Sequence, residues 1–287
     1  MKDHVKFISS LILFGSNGVM AAHILLPSCD IVVLRTFIGA LFLGVAFIAR
    51  RPVPNFNGAR SAVLVMASGV SMGLSWLFLY EAYQTVGVAV SSLAYYCAPI
   101  MVLALSPAIF KERLTRRVLL SFAVVLAGAL ALNWGSIDSV ESPWGLFCGW
   151  MSAVCHAAMV VFSKMSDKVE GLTSSLVQLI ASFAVSAAFL VVTGGLPFAI
   201  PADSLVWIMV LGVVNTGLGC YLYFSSFEGL SAQTVAIFGY LEPLSAVVCA
   251  LVFLGEPMSF WEAIGGLFII GGAILGTAPK KKSGMPA

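Results

Sequence analysis

Charged side chains are scarce in this chain. Asp, Glu, Lys and Arg make up only 10% of its 287 residues, against roughly a quarter in soluble domains. Too few are present to clothe a water-exposed surface, which excludes an ordinary soluble globular domain. The three histidines and six cysteines (Cys29, Cys97, Cys148, Cys155, Cys220, Cys249) form no CxxC pair and no HExxH motif. Neither a disulfide framework nor a metal site is expected, and a cysteine in an apolar run acts as a small hydrophobe. A Walker loop, a GxGxxG fingerprint and an Asp-rich prenyl-diphosphate motif are also missing, so no cofactor is expected. With a net charge of +2 and no basic patch carrying interleaved aromatics, nucleic acid is not an expected partner.

What fills the chain instead is apolar. Hydrophobic residues make up 60% of it and the mean hydropathy is +1.02, which describes a polytopic membrane protein. Cutting at charges, prolines and glycine-rich joints gives apolar runs near 6–25, 31–49, 61–81, 87–109, 118–134, 144–164, 172–193, 204–224, 231–254 and 259–277. Each has about the length needed to cross roughly 30 Å of hydrocarbon as a helix. Lys2 and Lys6 before the first run, with Ala21-Ala22 beyond it, have some signal-peptide character. An uncleaved first transmembrane helix suits them equally, and in a chain this apolar it is the reading adopted.

The joints sort by charge. With the N-terminus inside, every Lys and Arg except Arg35 falls on the cytoplasmic side, while the outer joints carry the acids Asp30, Asp138, Glu141, Asp203 and Glu256. Basic residues set membrane topology, so the sorting predicts ten transmembrane helices with both the N- and the C-terminus cytoplasmic. The Lys280-Lys281-Lys282 tail reads as a topological anchor at the lipid surface.

The chain also repeats itself weakly. A shift of 144 residues carries Tyr96 onto Tyr240, Pro99 onto Pro243, Glu112 onto Glu256, Gly73 onto Gly217 and Gly128 onto Gly272. An odd number of helices per copy turns the second copy upside down. The expected fold is therefore an all-α integral membrane protein of two inverted five-helix repeats, residues 1–137 and residues 138–287, the second ending in the basic tail.

Within this frame a few side chains stand out. Glu242 lies midway along the ninth run beside Pro243, where a carboxylate must be paired, solvated or protonated. It reads either as a proton-coupling group or as a protonated structural acid bonded near a proline-freed carbonyl. Pro99 and Pro243 each remove a helix hydrogen bond at matched sites, as hinges or as packing kinks. Trp76, Tyr80 and Tyr83 share one helix face by their i, i+4, i+7 spacing. With Tyr95, Tyr96, Tyr221 and Tyr240, and with Asn17, Asn215 and His156, several of these aromatics are candidates to line a cavity for neutral or zwitterionic solutes with an apolar part. Tyr80, Tyr83 and Tyr223, near helix ends, suit an interfacial belt as well.

Arg35 is the only base expected inside the membrane span, with Glu81 or Asp30 as a partner. It reads as a structural ion pair, a snorkelling side chain, part of an outer gate or a contact for a substrate carboxylate. A single intramembrane base argues against polyanionic substrates. His156 is a proton relay or a packed hydrogen-bonding residue, and His23 a weaker candidate. Gly69-Val-Ser71-Met-Gly73 spells the hydrolase elbow but lies inside an apolar helix, where small-residue packing explains it, as it explains Gly145/Gly149 and Gly272/Gly276.

Taken in order, these features resemble the drug/metabolite transporter superfamily, in particular the EamA-type ten-helix transporters. The resemblance rests on Phe14-Gly15-Ser16-Asn17, Leu34-Arg35-Thr36-Phe37, Tyr80-Glu81-Ala82-Tyr83, Ala98-Pro99 and Lys111-Glu112-Arg113-Leu114. In the second half it rests on Tyr221-Leu222-Tyr223, Leu241-Glu242-Pro243 and Leu254-Gly255-Glu256-Pro257. It implies a multi-pass carrier of the plasma membrane, the inner membrane in bacteria, with a central cavity and alternating access. Such carriers often export amino acids or other small metabolites, with protons as a conceivable coupling ion and no implied oligomeric state. Ala98 stands where the second half has Glu242, so any role of the acid belongs to one half. An uptake carrier for a metabolite or nucleoside-type solute is the nearest alternative. An intramembrane enzyme would need clustered acids, histidines or metal ligands near one membrane face, and a channel would conduct without saturation.

Overall fold

The computed structural model describes residues 2–51, 56, 58–132, 142–166, 169–193, 200–255 and 258–277. Glu256, Pro257, Asp138, Glu141, Lys168 and the lysine tail lie outside the described residues. Among those described there is no strand. The helices in chain order are α1 (Lys2–Gly15), α2 (Asn17–Ala22), α3 (Ser28–Arg50), α4 (Ala59–Tyr95), α5 (Ala98–Phe110), α6 (Arg116–Leu132), α7 (Pro143–Met165) and α8 (Gly171–Val192). They are followed by α9 (Ala202–Val210), a π segment (Leu211–Leu218), α10 (Gly219–Ser225), a 3-10 turn (Phe227–Gly229), α11 (Ala232–Gly239), α12 (Leu241–Cys249), a second π segment (Ala250–Leu254) and α13 (Phe260–Thr277).

Among the described residues, seven helical stretches are long and apolar enough to cross a bilayer: Ser28–Arg50, Ala59–Gly87, Val90–Phe110, Pro143–Met165, Gly171–Val192, Ala202–Gly229 and Ala232–Leu254. Phe260–Gly276 is apolar but shorter. Hydrocarbon offers no partner for a backbone amide or carbonyl, so an apolar chain in lipid satisfies them within helices. The chain is a multi-pass membrane protein, consistent with the bacterial inner membrane.

Its side chains are distributed as that solvent requires. Large apolar groups such as Ile48, Val192, Phe260, Leu267 and Ile274 point outward, whereas Ser10, Ser68, Ser121, Ser152, Ser175, Ser182, Ser186 and Thr216 are fully buried. The buried hydroxyls tie helices together through main-chain carbonyls. Ser182 Oγ donates to Gly69 O at 2.7 Å, Ser68 Oγ to Met159 O at 2.9 Å and Ser121 Oγ to Gly272 O at 2.7 Å. Glycine lets the backbones come that close. A Cβ on Gly69 would stand 2.5 Å from Gln178 O, so the G-x-S-x-G string is a helix-packing surface.

Residues 144 apart meet one another at the centre. Tyr240 Oη donates to Tyr96 O at 2.8 Å. Between α6 and α13 the approach is reciprocal: a Cβ on Gly128 would meet Gly265 O at 2.7 Å, and one on Gly272 would meet Ser121 O at 3.0 Å. Gly265 is Ser121 shifted by the same 144 residues.

Several helices are interrupted. Helix α4 breaks at Gly87, whose φ of 77° and ψ of 164° lie outside helical space and in a region open to glycine. Tighter turns interrupt the regular helix at Ser16 between α1 and α2, at Tyr96-Cys97 between α4 and α5, and at Tyr240 between α11 and α12, with φ and ψ staying in the right-handed helical region. Pro99 and Pro243 follow the last two breaks and sit in the first turns of α5 and α12. Each proline thus sits in a first turn just after an interruption of a longer span, Val90–Phe110 for Pro99 and Ala232–Leu254 for Pro243.

Candidate functional site

The interrupted helices converge on one cavity. A small cavity of about 30 Å³ is lined by Phe14, Asn17, Met72, Trp76, Tyr95, His156, Met159, Cys220, Tyr223, Phe224 and Glu242. Asn17 opens α2 just after the break at Ser16. Tyr95 ends α4, and Glu242 lies in the first turn of α12. An adjoining space of about 20 Å³ shares His156, Tyr223 and Glu242 and reaches Pro99 and Gly239. Glu242 therefore lies where the two spaces meet, beside the breaks that follow Tyr95 and Gly239.

The wall is aromatic and thioether for most of its extent, with polar tips at a few points. Tyr95 Oη and His156 Nδ1 are 2.7 Å apart, with ring centroids at 4.9 Å. Tyr223 is held by Phe7, Phe14 and Phe227, at centroid distances of 5.1, 5.6 and 4.8 Å. Packed rings keep the wall rigid while methionines adapt to what fills it. A carboxyl, an imidazole, an amide and two phenols facing apolar surface suit a small amphipathic organic molecule.

A wider space of about 560 Å³ lies at the α7–α8 end, lined by Ser163, Lys164, Ser166, Val169, Ser174, Phe224, Phe227 and Glu228. Phe224 borders both spaces. Lys164 Nζ donates to Phe227 O at 2.6 Å and to Leu230 O at 2.5 Å, capping the end of the helical stretch that contains Tyr223.

Behind Trp76 lies Arg35. It is 1% exposed. Its Nε donates to Thr216 Oγ1 at 2.9 Å, its Nη1 to Tyr80 Oη at 3.1 Å, and its guanidinium carbon lies 4.5 Å from the Trp76 ring centroid. Thr216 in turn donates to Leu211 O, five residues back in the π segment, at 2.8 Å. Neither acid expected as a partner is in contact: Glu81 Oε1 accepts from Trp144 Nε1 at 3.0 Å on the exposed side of α4. Among the described residues the ion pair formed is Lys6–Asp3, at 3.8 Å. Arg35 Nη2 is buried and has no hydrogen-bond partner among the described residues. An unpaired buried cation costs several kcal/mol, so hydroxyls and a ring face are incomplete compensation.

A family model for EamA-like transporters matches residues 4–134 and again residues 143–277. The chain belongs to the EamA-like transporter family. This EamA-like chain is 26% identical over 279 residues to the uncharacterized transporter YxxF of Bacillus subtilis, covering 94% of this chain and 88% of that one. It is 24% identical over 269 residues to an uncharacterized transporter of Archaeoglobus fulgidus, covering 93% of each. It is 22% identical over 245 residues to protein PecM of Dickeya dadantii, covering 84% of this chain and 82% of that one. A crystal structure superposes with a TM-score of 0.81 over 96% of this chain and 97% of that chain, at 19% identity, a likeness of fold. Family and relatives point to a transporter rather than an enzyme.

In this EamA-like chain the candidates read from sequence fall into two groups. Asn17, Trp76, Tyr95, His156 and Glu242 meet at the cavity. Asn215, Tyr80, Tyr96, Tyr240 and Tyr221 are not part of its lining. Asn215 lies one layer behind: its Nδ2 donates to Leu13 O, Ser16 Oγ and Asn17 Oδ1 at 2.8, 2.8 and 3.0 Å, filling the break in the first helical stretch. Tyr80 is an Arg35 partner, and Tyr96 and Tyr240 join each other. Tyr221 points to Arg50 at the helix surface, Arg50 Nη1 lying 3.4 Å from its hydroxyl. Tyr223 takes the cavity position instead. The π segment at Leu211–Leu218 changes the rotation of the helix, moving the inward face off the register that a regular helix sets. Phe14, Met72, Met159, Cys220 and Phe224 were not singled out as lining residues. A partial signal existed in helical spacing, since Met72 precedes Trp76 by four residues and Met159 follows His156 by three.

Proposed function

We propose that this chain is a secondary active transporter that moves small neutral or zwitterionic amphipathic metabolites, amino acids first among them, outward across the membrane by alternating access. The observation that carries the reading is the cavity where the breaks at Ser16, Tyr96-Cys97 and Tyr240 come together, with Glu242 on its wall. Helices interrupted inside a membrane have pliable joints, which a carrier needs at its midpoint. The proposed topology has ten crossings in two inverted five-helix repeats, with both termini cytoplasmic. It is supported by the charge sorting, by the family model matching twice and by the reciprocal contacts of residues 144 apart. On this topology the wide space by Lys164 is the cytoplasmic mouth and Arg35 lies toward the closed outer end.

Glu242 is the proposed proton site. A carboxyl that faces the cavity takes up a proton on one side and releases it on the other, coupling solute movement to the proton gradient. The test is efflux and uptake of labelled amino acids, nucleosides and sugars in proteoliposomes, with and without an imposed proton gradient. Saturable flux of an amino acid is expected, accelerated by the gradient in the wild type and indifferent to it in Glu242→Gln. Full gradient dependence in Glu242→Gln removes the coupling role, and no saturable flux of any solute removes the carrier reading.

A further inference from the structure

Arg35 is nearly inaccessible, lies within an apolar span and, among the described residues, has no carboxylate at ion-pair distance, the Glu242 carboxyl acting on it only through the longer-range field. A guanidinium kept only to brace helices would be expected to have its N–H groups satisfied or an acid within reach. Here two of its nitrogens are fixed by hydroxyls on different elements, Tyr80 on α4 and Thr216 on the π segment. The third, Nη2, has no partner among the described residues. The group is thus oriented but incompletely bonded, as a carboxylate receptor is before its ligand arrives. Its position adds to this. Trp76 stacks on the guanidinium and also lines the cavity that Glu242 lines, so one indole forms part of the wall between a fixed positive group and an acidic one.

We infer that Arg35 is the anion subsite of the transport pathway, its Nη2 receiving the carboxylate of a zwitterionic solute whose ammonium end faces Glu242 when Trp76 moves aside. This deepens the carrier reading and rests on it. It also narrows the substrate class: an α-amino acid has both poles, whereas an amine, a sugar or a nucleoside lacks the group that Arg35 takes. Thr216 and Tyr80 are positioning residues that hold the guanidinium.

The test uses the purified chain, in lipid nanodiscs for binding and in sealed proteoliposomes for counterflow. The probes are the common amino acids and, for each, the carboxamide, which keeps the side chain and the amine and removes the negative charge. Binding is read as a shift in unfolding temperature and as competition in counterflow. In the wild type at least one amino acid should bind roughly tenfold or more tightly than its amide, the discrimination of a charge-assisted hydrogen bond. Arg35→Gln should bind acid and amide alike, with Arg35→Lys retaining part of the preference. Equal binding of acids and amides by the wild type overturns the inference, and so does a preference that survives in Arg35→Gln. The wild-type comparison decides even if the variants do not fold. If no amino acid binds while an amine, sugar or nucleoside shows saturable flux, Arg35 is not an anion subsite and the carrier reading stands. If nothing is transported, the carrier reading itself has failed.

Discussion

The side chains around the cavity separate into those that face the solute space and those that hold the first group in place. Asn215 is the clearest of the second kind. Its amide reaches a carbonyl, a hydroxyl and the Asn17 side chain across the break at Ser16, and it is 1% exposed. Asn215→Ala leaves Leu13 O and the Asn17 amide short of a donor. It should lower stability by about 1–2 kcal/mol, a modest loss because membrane hydrogen bonds contribute less than their count suggests. It should also weaken solute binding, because Asn17 is no longer fixed. Unfolding of the purified protein followed by intrinsic fluorescence measures the first effect, and unchanged stability together with unchanged binding would show that the amide holds nothing. Sequence alone could place Asn215 in the membrane and mark it as polar. It could not tell a lining residue from the brace behind it, because the break it fills lies about two hundred residues away and nothing in Phe14-Gly15-Ser16-Asn17 forbids a continuous helix.

Among the elements, the breaks were legible to different degrees. Pro99 and Pro243 announced theirs, since proline cannot sit inside a helix without loss, and the structure puts each in the first turn after a break. Gly87, read as the start of a run, has the non-helical backbone that separates the spans Ala59–Gly87 and Val90–Phe110. The π segment left no mark in composition, yet it decided that Tyr223 rather than Tyr221 faces the cavity. The contact between α6 and α13 is more readable, because small residues recur where the two helices touch. A leucine at Gly272 would begin with a Cβ 2.4 Å from Val125 Cγ2 and 3.0 Å from Ser121 O. Gly272→Leu should therefore destabilise the protein by about 1–3 kcal/mol or prevent its accumulation. Gly271, one residue earlier, has nothing within 4 Å of an added Cβ. Gly271→Leu should lie within about 0.5 kcal/mol of the wild type. Equal effects of the two substitutions, measured by thermal unfolding in detergent, would mean that the helices do not pack through this face.

For the whole molecule, composition settled the solvent before any helix was placed. A chain with 10% charged residues could only be folded in lipid. The structure then buries serine and threonine hydroxyls and leaves many leucine, isoleucine and phenylalanine side chains outside, around a core that also holds Phe7, Leu11, Leu179 and Ile269. Arg35 shows where that reading ran out: the sequence named nearby acids as its partners, whereas folding turned Glu81 toward Trp144 and left the guanidinium to hydroxyls and an indole. The space between Trp76, Met159, Tyr223 and Glu242 is the proposed route of the solute. The most direct test fills it. Met159 is 3% exposed and lines the cavity, so Met159→Trp in proteoliposomes, with folding verified by a monodisperse elution profile, should abolish saturable flux of every solute that the wild type carries. Flux at the wild-type rate through the filled protein would contradict the account.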